Sequence, residues 1–256
     1  MPEGELKNII KEFQTIGLHE MDNVKLMNRV DTKFTMTIRQ LMETLPALTE
    51  HYRVLEIDGN LSASYQSRYY DDRQLNFYMD HHRKRVDRFK VRYRKYVESD
   101  LAFLEVKHKN KGRTNKKRIQ VDDMPNSNNI TGDHSDFIKS TGVDYADLQH
   151  VLTNEFSRIT FVGKKHNERL TFDLNLKFQI GDKSSELKNL VIAELKQERV
   201  NRTSPFYKMM KTSLIRPYRT SKYCIGIIHL YGKENVKYNR FKKKLIKLKK
   251  ISTNVA

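Results

Sequence analysis

The 256-residue sequence predicts an α+β fold: a closed antiparallel β-barrel with a basic lumen, flanked by helices. Three observations lead there. Several segments spread along the chain alternate charged with apolar side chains. Successive side chains of a strand point to opposite faces, so each such segment has one charged and one apolar face. Stretches of helical periodicity lie between them and can cover the apolar faces, which leaves the charged faces to converge inside. Finally, 49 Lys and Arg against 31 Asp and Glu give a net charge of +18. Like charges crowded into a lumen repel unless a polyanion fills it, so the excess points to a nucleic acid, a polyphosphate, a nucleotide or an anionic membrane.

The composition also excludes. A single cysteine, Cys224, rules out a disulfide framework and a cysteine-based zinc site. No apolar run approaches 18 residues and no signal-peptide pattern opens the chain, so a soluble, cytoplasmic protein is expected. Three segments are expected: an N-terminal helical segment over 1–26, a barrel domain over 27–232 and a basic tail over 233–256.

In chain order, residues 5–26 read as helical on the spacing of Leu6, Ile9, Ile10, Phe13, Ile16 and Leu18, with Gly17 as a break. Asn28–Met36 reads as a strand with Arg29, Asp31, Lys33 and Thr35 opposite Val30, Thr32 and Phe34. Ile38–Leu45 is a short helix stopped by Pro46. Tyr52–Ile57 and Ser64–Asp71 form a hairpin around Asp58-Gly59-Asn60, and Asp71–His82 is a helix.

The stretch from Arg85 to Lys117 is the most informative. Arg88, Lys90, Arg92 and Arg94 oppose Phe89, Val91 and Tyr93. After a turn at Glu98–Asp100, Phe103, Glu105, Lys107 and Lys109 oppose Leu104, Val106 and His108. After Lys111-Gly112-Arg113, Lys116 and Arg118 oppose Lys117, Ile119 and Val121. Residues 122–136 read as a polar loop and Phe137–Leu152 as a helix. Asn154–Val162 is a strand with Phe156, Arg158 and Thr160 on one face. Glu168–Ile180 places Arg169, Thr171, Asp173, Asn175 and Lys177 opposite Leu170, Phe172, Leu174, Leu176 and Phe178. Leu190–Glu198 sets Glu194, Lys196 and Glu198 opposite Val191, Ala193 and Leu195. Thr203–Lys211 is a helix, and Ser221–Leu230 ends the structured part. The tail Lys237–Lys250 holds eight basic residues and no acid. As a helix it suits an anionic membrane surface, emerging polyphosphate or nucleic acid.

The segments RVDTKF, RFKVRYRKY, FLEVKHKNKGRTNKKR, SRITF, RLTFDLNLKF, VIAELKQE and SKY occur in this order over roughly residues 27–230. Together they resemble the VTC domain, the vacuolar transporter chaperone polyphosphate polymerase module, of the CYTH or triphosphate tunnel superfamily. The resemblance implies a metal-dependent transfer of the terminal phosphate of ATP onto a growing inorganic polyphosphate chain. It matches Lys33, Arg92, Arg94 and Lys107 to residues that hold nucleotide phosphates. Lys116 or Arg118 matches the basic residue of the next strand, and Arg158 and Arg169 match the later arginines. Ser221 and Lys222 match a serine-lysine pair, and Glu194 matches the metal-binding glutamate, with Mn²⁺ or Mg²⁺ as the cofactor. Lys196 joins the set as a cation on the charged face. One departure is chemical: the superfamily's opening ExExK is Arg29-x-Asp31-x-Lys33 here. Loss of the glutamate pair removes ligands that a two-metal triphosphatase would want.

Two other readings stay open: a metal-dependent triphosphatase of the same fold, and a non-catalytic module that binds polyphosphate or RNA. The second would want exposed aromatics among the cations, whereas Phe89 and Tyr93 alternate away from them, so no specific nucleic acid is expected. ATP and polyphosphate are the expected partners, with a membrane protein or an anionic membrane reached through the tail.

Overall fold

A computed structural model describes residues 2–24, 29–144 and 147–253. Its strands are β1 (Thr15–Gly17), β2 (Val30–Thr37), β3 (Tyr52–Glu56), β4 (Ala63–Asp71), β5 (Arg88–Tyr96), β6 (Leu101–Asn110), β7 (Arg113–Val121), β8 (Gln149–Gly163), β9 (Glu168–Ile180), β10 (Lys183–Leu187) and β11 (Leu190–Gln197). The helices are α1 (Pro2–Lys11), α2 (Ile38–Thr44), α3 (Asn76–Arg83), α4 (Gly132–Ser140), α5 (Pro205–Thr212), α6 (Lys222–Tyr231) and α7 (Lys242–Thr253). No helix among the described residues is long and apolar enough to cross a membrane.

The strands form one sheet in the order β2-β11-β9-β8-β4-β5-β6-β7, with β1, β3 and β10 attached at its margins. The expected closed barrel is corrected here: β2 and β7 end the order, and no hydrogen bonds join them. The free edge of β2 is instead occupied by the segment before α6, where the Tyr218 N–H donates to the Lys33 carbonyl at 2.6 Å. The sheet still curls strongly. Lys107 on β6 senses the charge of Glu194 on β11, and Lys90 on β5 senses Lys33 on β2, although four strands separate the members of the first pair in the order.

The convex face carries two apolar layers. Phe34, Met36, Ile159, Phe161, Leu170, Phe172 and Ala193 pack against α1, α2 and α5. Val91, Tyr93, Leu104 and Val106 pack with Ile138 of α4. Leu6 and Ile10 of α1 belong to the first layer, so the N-terminal helix shares the core of the sheet. That helix ends at Lys11, and residues 15–17 are a strand parallel to β3, which corrects the expected continuous helix; Lys25 and Leu26 lie outside the described residues, as does Asn28. At α2, Thr37 Oγ1 accepts from the Gln40 N–H at 3.1 Å and Gln40 Oε1 accepts from the Thr37 N–H at 3.0 Å, a reciprocal cap that fixes the helix start.

Several element expectations change for local reasons. β3 and β4 do not form a hairpin: both pair with β8, β3 at Phe161–Gly163 and β4 at Gln149–Arg158, because that strand is long enough to serve two partners end to end. The helix expected from Asp71 begins at Asn76. The Asp72 carboxylate takes the N–H groups of Gln74 and Asn76, while Asp71, at the end of β4, takes those of Phe77 and Tyr78, so residues 72–75 are a turn that leads into the helix. The expected loop over 122–136 contains the start of α4, and the expected helix Phe137–Leu152 stops early. Gly142 at φ 87° ends α4, and Gln149 already opens β8. The chain also does not lose structure after Leu230. Phe241 packs on Tyr78 and His82 of α3, and Leu248 of α7 is buried.

The most consequential correction is a bulge. The β8–β9 register slips between Glu155 and Ser157, where Asn175 adopts φ 53°. An extra residue reverses the faces beyond it. Leu170, Phe172 and Leu174 belong to the convex layer, whereas Leu176 and Phe178 turn to the concave side, and Asn175 and Lys177 are exposed instead of entering the lumen. The apolar patch so made seats α6, whose Tyr223, Ile227 and Ile228 pack with Leu152, Phe156, Leu176 and Phe178. Helix α6 therefore fills one half of the concave face.

Gly226 marks the closest approach: a Cβ there would meet Phe178 Cδ1 at 2.6 Å and Leu152 Cδ1 at 3.1 Å. Alanine gains about 1 kcal/mol in helix propensity over glycine, but overpacking a buried interface costs about 1–3 kcal/mol. Gly226→Ala is therefore expected to lower the melting temperature on balance. A melting temperature equal to or above wild type would show that α6 is not held tightly against the sheet.

Candidate functional site

The remaining half of the concave face is where the charged residues meet. Strand register sets Lys33 opposite Glu194, Glu194 opposite Thr171, Lys196 opposite Arg169 and Asp31, Arg158 opposite Asp173, Arg92 opposite Glu105 and Tyr69, Lys90 opposite Lys107, and Glu105 opposite Arg118. Ser221 and Lys222, at the start of α6, complete the surface: Ser221 Oγ caps the helix at Cys224 N and accepts from Lys90 Nζ at 3.0 Å. The structure thus brings together Lys33, Arg92, Arg94, Lys107, Arg158, Arg169, Glu194, Lys196, Ser221 and Lys222. Lys116 and Arg118 share the face but sit on the edge strand β7 and are exposed.

Three carboxylates organise these cations, each holding two. Fully buried Glu105 accepts from Arg92 Nε at 2.9 Å and Nη2 at 2.5 Å, and from Lys116 Nζ at 2.9 Å. Asp173 receives Arg158 through two bonds of 2.6 and 2.8 Å, and also Lys222. Glu194 lies 2.9 Å from Lys196 Nζ and 3.8 Å from Lys33 Nζ. Each such group carries two positive charges against one negative.

Other cations have no carboxylate of their own. Arg94 donates to Ser67 Oγ at 3.2 Å and lies over the rings of Tyr65 and Phe156. Among the described residues Lys107 and Arg169 make no ion pair or hydrogen bond, and Arg118 lies over the Phe103 ring.

Proton affinities divide the cations in the same way. Burial works against the charge of Arg92, yet Tyr69 and Glu105 hold it above the ordinary guanidinium range, and Asp173 does so for Arg158. Burial and then Arg92 push Arg94 down, while Arg92 and then burial push Lys107 well below the usual lysine value. Burial, then Arg29 and Arg158, lower Arg169. A group whose charge is disfavoured by its neighbours gains most from an anion. Arg94, Lys107 and Arg169 are thus the cations whose charge is least compensated, whereas Arg92 and Arg158 are each held by a carboxylate.

Sequence reasoning missed Asp31, Asp173, Lys90 and the aromatics as site residues. Asp31 lies near Glu194, and burial and then the Glu194 charge raise its proton affinity. No cluster of three or more His, Cys, Asp and Glu exists among the described residues. Even so, two carboxylates suit a hard divalent ion whose remaining positions are filled by water and substrate phosphates. The neighbouring Thr35 and Thr171 hydroxyls are buried and without partners, so they could hold coordinated water. The residues present fit a hard divalent ion. Tyr65 and Phe156 stack at 5.1 Å and 7° and underlie Arg94, Arg158 and Lys222, so the concave face has an aromatic floor beneath its cations. Phe89 and Tyr93 pack in the opposite apolar layer, as expected, while Phe103 and Phe156 share the charged faces on which the alternation placed them. Tyr69 and Phe156 are nonetheless buried under the cations and present no exposed ring for a base. The alternation itself could have revealed Asp173, which shares a face with Arg169.

The chain resembles solved structures at low sequence identity. A candidate adenylate cyclase from Bacillus halodurans superposes with a TM-score of 0.49 at 12% identity, covering 76% of this chain and 94% of the other. A Hippeastrum protein, described as a candidate adenylyl cyclase with a dominant triphosphatase activity, superposes with a TM-score of 0.50 at 12% identity, covering 78% and 95%. The second likeness shows a shared fold. No curated protein matches the chain by sequence. The profile of the VTC domain matches residues 28–231, nearly the whole curled sheet with α6. The chain therefore belongs to the VTC domain family.

Proposed function

We propose that this protein is a polyphosphate polymerase, which moves the terminal phosphate of ATP onto the end of an inorganic polyphosphate chain. The observation that supports this most is the division of the cations. Arg94, Lys107 and Arg169 lack countercharges and face the same concavity as the Glu194–Asp31 pair.

Phosphoryl transfer asks for in-line positioning and charge neutralisation more than for covalent help. Arg94, with its planar fork, and Lys107 hold nonbridging oxygens of the donor, and Arg169 meets them from the opposite strand group. Arg92, fixed by Glu105 and Tyr69, keeps the field positive without moving. Lys222 and Ser221 approach from the helix end. A divalent ion held by Glu194 and Asp31 would neutralise phosphate oxygens as charge shifts to the leaving group. No general base is required, because the terminal phosphate of the acceptor is already an anionic nucleophile. Arg29 stands where a triphosphatase of this superfamily carries a glutamate and pairs with Asp31 at 3.2 Å. That replacement favours transfer to phosphate over hydrolysis.

Incubation with ATP and Mn²⁺, with the product sized on a gel, should give long polymer; orthophosphate alone would establish the triphosphatase reading instead. Glu194→Gln, nearly isosteric, should remain folded at a lowered melting temperature, because buried Lys196 loses its partner, and should lose most turnover and metal dependence. Unchanged metal dependence would leave Glu194 as an ion-pair partner only.

Arg94 separates grip from scaffold. Arg94→Ala should cost on the order of 2–4 kcal/mol of transition-state stabilisation, by analogy with a lost oxyanion donor, and Arg94→Lys less. Without ligand, the melting temperature of Arg94→Ala should hold or rise slightly, since a repelling charge is gone. Its gain in melting temperature from a nonhydrolysable triphosphate should shrink. A large drop without ligand, with the full ligand gain retained, would make Arg94 structural.

The pH dependence follows from Lys222, which burial pushes down to about 8 against the pull of Asp173. Below pH 8 it is a cation and helps bind phosphate; above that it is neutral in the empty protein, so triphosphate affinity should fall as pH rises through about 8. Tyr69 adds to this: burial opposes its ionisation, but Arg92, Arg94 and Lys90 outweigh burial and bring it down to about 8, so a phenolate forms in the same window. For the empty protein, Lys222 acts in the opposite sense. Between about pH 8 and its ordinary value of 10.5 the unfolded chain binds the extra proton, so this group makes stability rise with pH there. Triphosphate titrations at pH 7 and pH 9 test the first statement; equal affinities would refute it.

A further inference from the structure

Helix α7 has two sides with different fates. Its inward side is committed to the protein: Leu248 is buried, and Leu245 and Ile251 pack with it against the apolar layer that holds α6. Lys244 Nζ donates to the Arg219 carbonyl at 2.7 Å, and Lys247 Nζ lies 4.3 Å from the centre of the Tyr218 ring. These contacts fix the rotation of the helix about its axis. Lys242, Lys243, Ile246, Lys249 and Lys250 then fall at i, i+1, i+4, i+7 and i+8, which is one stripe of a helix, and all five are exposed on the side opposite Leu248.

Two features of this outward stripe point to a partner. Among the described residues none of its four lysines pairs with a carboxylate, and α7 itself contains no acid. Ile246, 50% exposed, stands at the centre, with Lys242 and Lys243 one turn before it and Lys249 and Lys250 one turn after. The matching surface is negatively charged and has an apolar layer within reach of one short side chain.

We propose that the outward face of α7 docks on an anionic lipid bilayer, with the four ammonium groups among the headgroups and Ile246 at the edge of the acyl region. Lysine stems can lie along apolar surface while their charges stay among the headgroups. This docking is independent of the polymerase reading, because none of the five residues belongs to the concave face. An inorganic polyphosphate chain would engage the lysines but offers nothing apolar to Ile246. A single-stranded nucleic acid is gripped through arginines and exposed rings, and the stripe has neither; Tyr238 and Phe241 turn inward. The apolar side that an interfacial helix inserts is here packed on the protein, so the attraction is mainly electrostatic and falls as salt rises.

The test is co-sedimentation of the full chain with vesicles of equimolar phosphatidylserine and phosphatidylcholine, compared with phosphatidylcholine alone, polyuridylate RNA and long-chain polyphosphate. The protein should bind the anionic vesicles and not the neutral ones. A lysine near an anionic surface is worth about fivefold in partition, so Lys249→Gln, Lys250→Gln should bind the anionic vesicles about twentyfold more weakly. Ile246→Gln should bind them about fourfold more weakly, with an unchanged salt dependence and wild-type affinity for RNA and polyphosphate. Glutamine is a comparable helix former and the positions are exposed, so melting temperatures and ATP turnover should stay at wild-type values. No preference for the anionic vesicles, wild-type partition of the lysine double variant, or wild-type vesicle binding by Ile246→Gln would each overturn membrane docking. A loss of RNA affinity in Ile246→Gln as large as its loss on vesicles would also overturn it and assign the face to nucleic acid.

Discussion

The structure depends on how like charge is kept in a confined space. Removing a charge from water costs several kcal/mol, and a concavity lined by arginine and lysine adds mutual repulsion. The solution here is a set of three carboxylates, Glu105, Asp173 and Glu194, each shared by two cations. Sharing holds the geometry without neutralising it, so a net positive field survives in the empty protein. Each carboxylate stays ionised for the same reason: burial opposes its charge, but paired cations outweigh burial and hold Glu105, Asp173 and Glu194 far below the ordinary range. Breaking one such group would leave a buried charge uncompensated, at a cost of about 3–5 kcal/mol.

This arrangement separates two roles that look alike in the sequence. Arg92 and Arg94 lie two residues apart on one strand and one face, yet Arg92 is bound by Glu105 and Tyr69 while Arg94 meets only Ser67 and an aromatic floor. The same contrast holds between Arg158, clamped by Asp173, and Arg169, which has no carboxylate. Paired cations are held in place while the unpaired ones keep an uncompensated charge, a division that the proposed phosphoryl transfer would use.

The apolar half of the concave face supports the polar half. Helix α6 lies against Leu176 and Phe178 because the bulge at Asn175 turns those side chains inward, and its first turn then delivers Ser221 and Lys222 to the site. Asp71 reinforces the placement by accepting from the Tyr223 hydroxyl and from two N–H groups at the start of α3. Tyr223 stacks on Tyr69, the phenol that meets Arg92. The packing of one helix is thereby linked to the position of a scaffold arginine.

The sequence by itself determined the strands and their faces wherever alternation was regular, from Arg88 to Val121 and over the first half of β9. Side-chain direction in a strand is set by the backbone alone. Hence Arg92, Arg94, Lys107, Arg158, Arg169, Glu194 and Lys196 could be assigned to one surface from their parity, and the ordered motifs identified the family. Tertiary structure decided what parity does not encode. Pairing partners across the chain left the sheet open between β2 and β7 and sent β3 and β4 to the same strand instead of to each other. A single residue in a left-handed conformation reversed the faces after Asn175 and moved Lys177 out of the lumen. Carboxylates distant in sequence chose which arginines are held and which are free, because charge pairing depends on distances that only the folded chain establishes.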